Sequence, residues 1–209
     1  LIDADTGIDD SIAILFALKR PDVRVMGVTT GFGNTTARQA ADYLDSVIDH
    51  TSVAFGGSVT LDQLDLYPRL SAHNRCLWHW KGDDRMDGMQ TEVYLSSVNG
   101  LAETGELINI DGAGNRVAST LFGHKRVYFV VGANKIAPDY DAALWRARNI
   151  AAPKNAQRLK RKTPCAVKAD RCYDCSSPER ICRELVVLWN KPMGVDTMEI
   201  VLIDQDLGM

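Results

Sequence analysis

The sequence predicts an α/β fold: an open-sheet domain preceded by a partial parallel βαβα unit. Three observations predict it. Residues 1–48 alternate strand and helix patterns twice. The stretch ELINIDGAGNRVASTLFGHKRVYFVVGANKI sets two apolar strands around one helix. The run SVAFGGSVT passes from a strand through a Gly-rich turn into a helix. Alternation with turns this short builds parallel sheets with right-handed crossovers.

Composition narrows the partners. Of 209 residues, 45% are hydrophobic and 24% charged, which is ordinary for a globular chain. A net charge of -3 gives no pull toward nucleic acid or anionic membrane. No apolar run reaches the roughly 18 residues of a spanning helix. These features predict a cytoplasmic protein with neither a nucleic-acid partner nor membrane insertion. Asp3, Asp5, Asp9 and Asp10 argue against a signal peptide. Leu1 falls inside a strand pattern, so the natural start is expected upstream. Five cysteines, four of them late, fit thiols or metal better than a disulfide framework.

Residues 1–5 end a strand, and a helix fills 9–19, with Ile12, Leu15, Phe16 and Leu18 near helical spacing and Pro21 beyond. A strand follows at 23–30, a loop at 31–34 and a helix at 36–48. The motif DADTGIDD crowds four carboxylates at a strand end and a helix start. Like charges so close call for a cation, and an all-oxygen set suits calcium or magnesium. Asp9 and Asp10 also suit a helix N-terminus, which leaves Asp3 and Asp5 to explain. The stretch resembles the inosine-uridine-preferring nucleoside hydrolases, whose signature is D-x-D-x-x-x-D-D. That resemblance implies calcium ligands at Asp5, Asp9 and Asp10, with Asp5 also the base for the attacking water. It places Asn34 near a ribose. The family's late His-Asp pair has no counterpart, because none of His50, His73, His79 and His124 precedes an aspartate.

A strand at 52–55 leads into Gly56-Gly57-Ser58, and Thr60 with Gln63 has capping-box spacing. Such a turn is either an anion cradle or a tight connection. Residues 78–88 read as a loop and 92–97 as a strand. The segment 99–105 carries Glu103. A strand at 107–110 breaks at Asp111 to Arg116, a helix runs over 117–122, Gly123 stops it, and a strand follows at 126–131. Another polar break, with Asn134 and Lys135, precedes a helix at 139–150 that turns Leu144, Ala147 and Ile150 inward. The basic run 155–162 fits either a solvated face or an anion site. Late strands fall at 185–189 and 199–203. Ligands of open α/β sheets gather outside the carboxyl ends of strands. Gly56, Gly57, Ser58, Thr60, Gly112, Asn115, Arg116, Asn134 and Lys135 are therefore the candidate ligand-binding residues for a small anion. Arg116 would offer a bidentate fork. Asp111 and Glu103 are the candidate catalytic carboxylates.

Cys165, Cys172, Cys175 and Cys182 give C-x6-C-x2-C-x6-C. The central spacing suits zinc or an iron-sulfur cluster, and small buried thiols are the alternative. Cys76 stands apart.

From residue 51 on, AFGGSVTL, SVNGLAETGELINIDGAGNRVA, VVGANKI, RNIAAPKNAQRL, KTPC and CYDCSSPERIC together resemble the lactate-utilisation (LUD) domain family. The resemblance implies a fold like that of ribose-phosphate isomerases and coenzyme A transferases. It implies a role in bacterial lactate oxidation beside iron-sulfur and flavin-type oxidase partner proteins. The chain thus reads as a mosaic, hydrolase-like over 1–50 and LUD-like over 51–209, with the helix at 36–48 fitting either part. The leading expectation is an accessory component of lactate oxidation that binds an anion. A calcium-dependent nucleoside N-ribohydrolase and a metal-stabilised interaction module are the rivals.

Overall fold

The computed structural model describes residues 2–4, 28–30 and 36–209. The helix expected at 9–19, the aspartates Asp5, Asp9 and Asp10, and Asn34 lie outside the described residues. Of the opening unit, β1 (Ile2–Ala4) and β2 (Val28–Thr30) pair in parallel, with Asp3 opposite Thr29.

Helix α1 (Ala37–Val47) begins at a reciprocal cap: Thr36 Oγ1 accepts from Gln39 N, and Gln39 Oε1 accepts from Thr36 N. Its apolar stripe of Ala40, Ala41 and Leu44, continued by Ile48, sits in the main core. That core also holds residues from β3 (Ser52–Phe55), α2 (Val59–Gln63), α3 (Leu66–Leu70) and β4 (Arg75–Trp78).

With β5 (Val93–Ser96), β8 (Arg126–Gly132) and β11 (Thr197–Ile203), strands β3 and β4 form a five-stranded sheet, order β11-β8-β5-β3-β4. Every pair in it is parallel. Strand β8 is apolar after Arg126 because both of its faces are covered. Tyr128 and Val130 face the α1–α3 layer, while Val127, Phe129 and Val131 face the other way. Burying a side chain of this size contributes about 1.5–3 kcal/mol, which fixes the strand register.

The opposite layer is a mixed sheet, order β10-β7-β6-β9, from β6 (Gly100–Ala102), β7 (Leu107–Asp111), β9 (Ile136–Ala137) and β10 (Glu184–Leu188). Helix α6 (Tyr140–Arg146) covers its far side through Ala143, and Ala147 just beyond the helix continues the contact. Gly100 is required there, since a Cβ would lie 2.5 Å from the Ala143 carbonyl oxygen. The fold is therefore mixed α/β, with a parallel sheet and a second, mixed sheet.

Four local expectations change. Ser58, not Thr60, caps α2, its hydroxyl accepting from Leu61 N, and Thr60 is buried inside the helix. The expected loop at 78–88 holds a 3-10 turn (His79–Lys81) and helix α4 (Arg85–Gly88), capped by Asp84. Helix α5 spans Asn115–Leu121, starting two residues earlier than the apolar pattern suggests. The helix expected to end at Ile150 continues through a π turn (Ala147–Ala151) into α7 (Ala152–Arg158). Pro153 explains the π turn: it has no N–H for the carbonyl four residues back, and its ring crowds that carbonyl.

Candidate functional site

In the parallel sheet, β3 leads outward to β4, and the chain then returns to β5 on the other side of β3. Such a switch point opens a crevice at the carboxyl ends of the strands. A polar cavity of about 640 Å³ lies there. Each strand end contributes: Gly57, Ser58 and Thr60 after β3, His79 and Trp80 after β4, Ser97 after β5, Lys135 after β8, and Gly208 after β11. The facing wall comes from the second layer, with Asp111, Gly112, Asn115 and Arg116 after β7. Segments 151–161 and 178–183 close the remaining sides.

Of the expected ligand residues, Gly57, Ser58, Thr60, Gly112, Asn115, Arg116 and Lys135 line this one cavity, as does Asp111. Gly56 does not. A Cβ there would lie 2.6 Å from the Tyr94 hydroxyl, so this glycine makes room for a buried tyrosine. Gly57 does the same for His79 and Trp80, whose ring atoms would sit 3.2–3.3 Å from a Cβ. Asn134 turns to the backbone, its Oδ1 accepting from Leu207 N at 3.1 Å. Glu103 is exposed on a turn outside the cavity lining.

Arg116 holds the wall together. Its Nη1 donates to Ser97 O (3.2 Å) and Asn109 Oδ1 (2.6 Å), and its Nη2 to Asn99 Oδ1 (3.2 Å) and Ile110 O (2.8 Å). Nε lies 3.7 Å from Asp111 Oδ1. Both terminal nitrogens are used, so the fork expected for a ligand is spent on the protein, and Arg116 contributes charge only. Asp111 Oδ2 is buried with no hydrogen-bond partner among the described residues, which makes it the open acceptor of the wall.

Lys135 is 4% exposed, and its Nζ donates to Thr60 Oγ1 and Ser97 Oγ, both at 2.8 Å. Burial, together with the positive charges of Arg146 and Arg116, lowers its pKa to about 7. Burial and Arg85 also lower the pKa of His79.

Sequence reasoning missed His79, Trp80, Arg85, Arg180 and Arg183, and left Arg158 and Arg161 between a solvated face and an anion site; all of them line the cavity. A strand ending at Trp78 would have marked His79 and Trp80 as carboxyl-end residues. The basic run at 155–162 sends Arg158 and Arg161 to the cavity, and the Arg158 guanidinium sits 5.2 Å from the Trp80 ring.

The four late cysteines line a second cavity of about 190 Å³. Helix α8 (Pro164–Lys168) carries Cys165, and Thr163 Oγ1 lies 3.3 Å from its sulfur. Asp174 N donates to Cys172 Sγ at 3.3 Å. Arg180 ties the loop, donating to the carbonyls of Cys175 (3.0 Å) and Cys182 (2.8 Å). All five cysteines are free. Among the described residues no three His, Cys, Asp or Glu side chains are placed to hold one ion. As placed, the four thiols are not gathered round one tetrahedral position. Nor is any described helix long and apolar enough to cross a membrane.

The layers and the crevice define an α/β domain with a cation-rich site at the carboxyl edge of its parallel sheet. The chain belongs to the LUD domain family, whose model matches residues 29–203, and is thus a lactate-utilisation domain protein. The match opens upstream of α1, in keeping with that helix's place in the main core. A DUF162 family protein from Deinococcus radiodurans is 11% identical, over 80% of this chain and 96% of that one, at a TM-score of 0.37. Among curated proteins, a probable uridine nucleosidase 1 of Oryza sativa subsp. japonica is 55% identical over 40 residues. Uridine nucleosidase 1 of Arabidopsis thaliana is 50% identical over 40 residues. Each match spans 19% of this chain and 12% of the relative, so the chain covers only a small part of either. An uncharacterized protein in the ribF 3' region of Corynebacterium ammoniagenes is 44% identical over 39 residues, 42% of its length.

Proposed function

We propose that this lactate-utilisation domain binds a small anionic metabolite or cofactor in the crevice and serves an iron-sulfur lactate oxidase complex as an accessory component. One observation carries the anion reading. Six arginines and one lysine line the cavity against two carboxylates, Asp111 and Glu179, in a chain of net charge -3. Cations focused in a cleft raise the local concentration of anions. The open-sheet architecture of isomerases and coenzyme A transferases belongs to this proposal, since those folds also bind ligands at strand carboxyl ends. The partner proteins rest on the family resemblance alone.

Trp80 lines the cavity and reports on it, so quenching of its fluorescence by oxalate, lactate or phosphate measures occupancy. Arg158→Glu, an exposed site beside Trp80, should weaken oxalate binding about tenfold, as expected when a charge near a bound anion is reversed. Unchanged affinity in that variant would remove the anion assignment.

A second reading rests on the short nucleosidase matches: a calcium-dependent nucleoside N-ribohydrolase using Asp5, Asp9 and Asp10. Ribose release from uridine that is abolished by Asp5→Asn would establish it. Intact uridine in the presence of calcium would exclude it for this chain.

A further inference from the structure

We propose that Lys135 is a nucleophilic amine that forms an imine with a small carbonyl-bearing anion held in the crevice; this rests on the anion-site reading above. The placement of the amine makes the case. A lysine meant only to hold an anion works best as a hydrated point charge on a flexible stem. Lys135 is instead 4% exposed, yet it lines the cavity. Its hydrogen-bond partners among the described residues are two hydroxyls, Thr60 Oγ1 and Ser97 Oγ. A neutral amine keeps both of those donations and leaves its third tetrahedral position, the lone pair, uncommitted. Gly208 preserves the space beside it, since a Cβ there would come within 2.9 Å of Nζ and 2.5 Å of Thr60 Oγ1.

The charges facing the amine are Arg116 of α5 and Arg146 of α6, and Asp206 acts on Arg146 from the segment after β11. Two neighbouring cations with burial favour the uncharged amine near neutral pH. A desolvated lysine beside a second cation is a recurring way of activating an amine toward carbonyls. The arginines of the rim supply what such an amine lacks, namely attraction for the anionic end of the substrate.

The step balances without an oxidant or reductant. The Nζ lone pair attacks the carbonyl carbon and the C–N bond forms. The carbonyl π pair moves to oxygen, which takes up a proton as nitrogen loses one, giving a carbinolamine. The hydroxyl then leaves as water, with one proton added to it and one lost from nitrogen, and C=N remains. Amine plus carbonyl gives imine plus water.

The test uses the full chain with pyruvate or glycolaldehyde phosphate and cyanoborohydride, followed by peptide mapping. These probes separate a carboxylate from a phosphate source of the same chemistry. The expected result is one secondary-amine adduct, on Lys135, from at least one probe. Trapping should rise with pH, with its half-point near 7. Adducts spread over exposed lysines such as Lys81 and Lys154, with none at Lys135, would overturn the proposal. Lys135→Met should lose the adduct, and mapping the unaltered chain decides the matter even if that variant does not fold. Oxalate, an anion with no electrophilic ketone, separates the two readings in a parallel titration. Oxalate binding without a Lys135 adduct sinks the imine and keeps the anion site. Absence of both sinks the two together.

Discussion

Arg116 shows how one side chain can be essential to a site without touching a ligand. It bonds two backbone carbonyls and two side-chain amides drawn from two segments of the wall, 97–99 and 109–110. Removing it strands those acceptors in a part-buried setting, where each unsatisfied group costs up to about 1–3 kcal/mol. We expect Arg116→Met to destabilise the domain by about 3–5 kcal/mol in urea unfolding, the range for breaking a buried charged network from one side. Arg116→Lys should recover only part of it, because one ammonium cannot span the same four acceptors. A loss below 1 kcal/mol would contradict this account. Lys135 makes a second prediction at this scale. Folding lowers its pKa from 10.5 to about 7. Between those values the unfolded chain holds a proton that the folded chain lacks, so stability rises with pH across that window. Below it both states are protonated and the cost of burying the charge is fully felt. Wild type should therefore gain on Lys135→Met by on the order of a few kcal/mol between pH ~7 and pH ~10, read as the difference between two denaturation curves. A difference flat with pH would mean that the amine stays charged in the fold.

The elements were legible wherever one interaction dominated. The continuous apolar run of β8 declares a strand covered on both faces, and Thr36 with Gln39 declares the start of α1. Short elements were not legible, because tertiary contacts decide them. Nothing local in WHWKGDDRMDG separates a loop from a 3-10 turn followed by a four-residue helix. The π turn was hidden for a related reason. Pro153 stops a regular helix locally, yet packing of Ala147, Ala151 and Ala156 keeps the chain helical beyond it. At this scale the segment before β10 is the most sensitive part of the site, because it rests on Gly112. A Cβ at that position would collide with the Ile181 backbone carbonyl. Backbone cannot yield as a side-chain tip can, so Gly112→Ala should push residues 178–183 off the cavity while the parallel sheet persists. Hydrogen exchange should rise in that segment with β8 still protected, since local opening is separable from global unfolding. Uniform loss of protection would instead show that the segment and the sheet unfold as one unit.

Across the whole molecule, charge is distributed unevenly: a net -3 overall, with six arginines around one crevice. Part of the crevice could be anticipated from topology, since the turns after β3 and β8 share one edge of the parallel sheet; the wall after β7 comes instead from the second sheet. The cations of the crevice could not be anticipated, because Arg85, Arg158 and Arg183 come from separate segments that only the packing of two sheets brings together. The basic run at 155–162 fits a solvated face and an anion site at once: Arg158 is exposed, yet its guanidinium lies over Trp80 at the cavity rim. This arrangement makes binding electrostatic at long range. Arg85, Arg158, Arg161 and Arg183 are exposed and screened by salt, whereas Arg116 is only part-exposed, its side chain at 12%, and is screened less. Raising sodium chloride from about 50 mM to about 500 mM should therefore weaken oxalate binding roughly tenfold, mostly by slowing association. Phosphate, with a charge between one and two near neutrality, should follow the same trend. Arg158→Glu should flatten the salt dependence, because the charge it removes belongs to the screened set. Affinity that ignores salt would place the binding energy with buried groups and relieve the rim of any role.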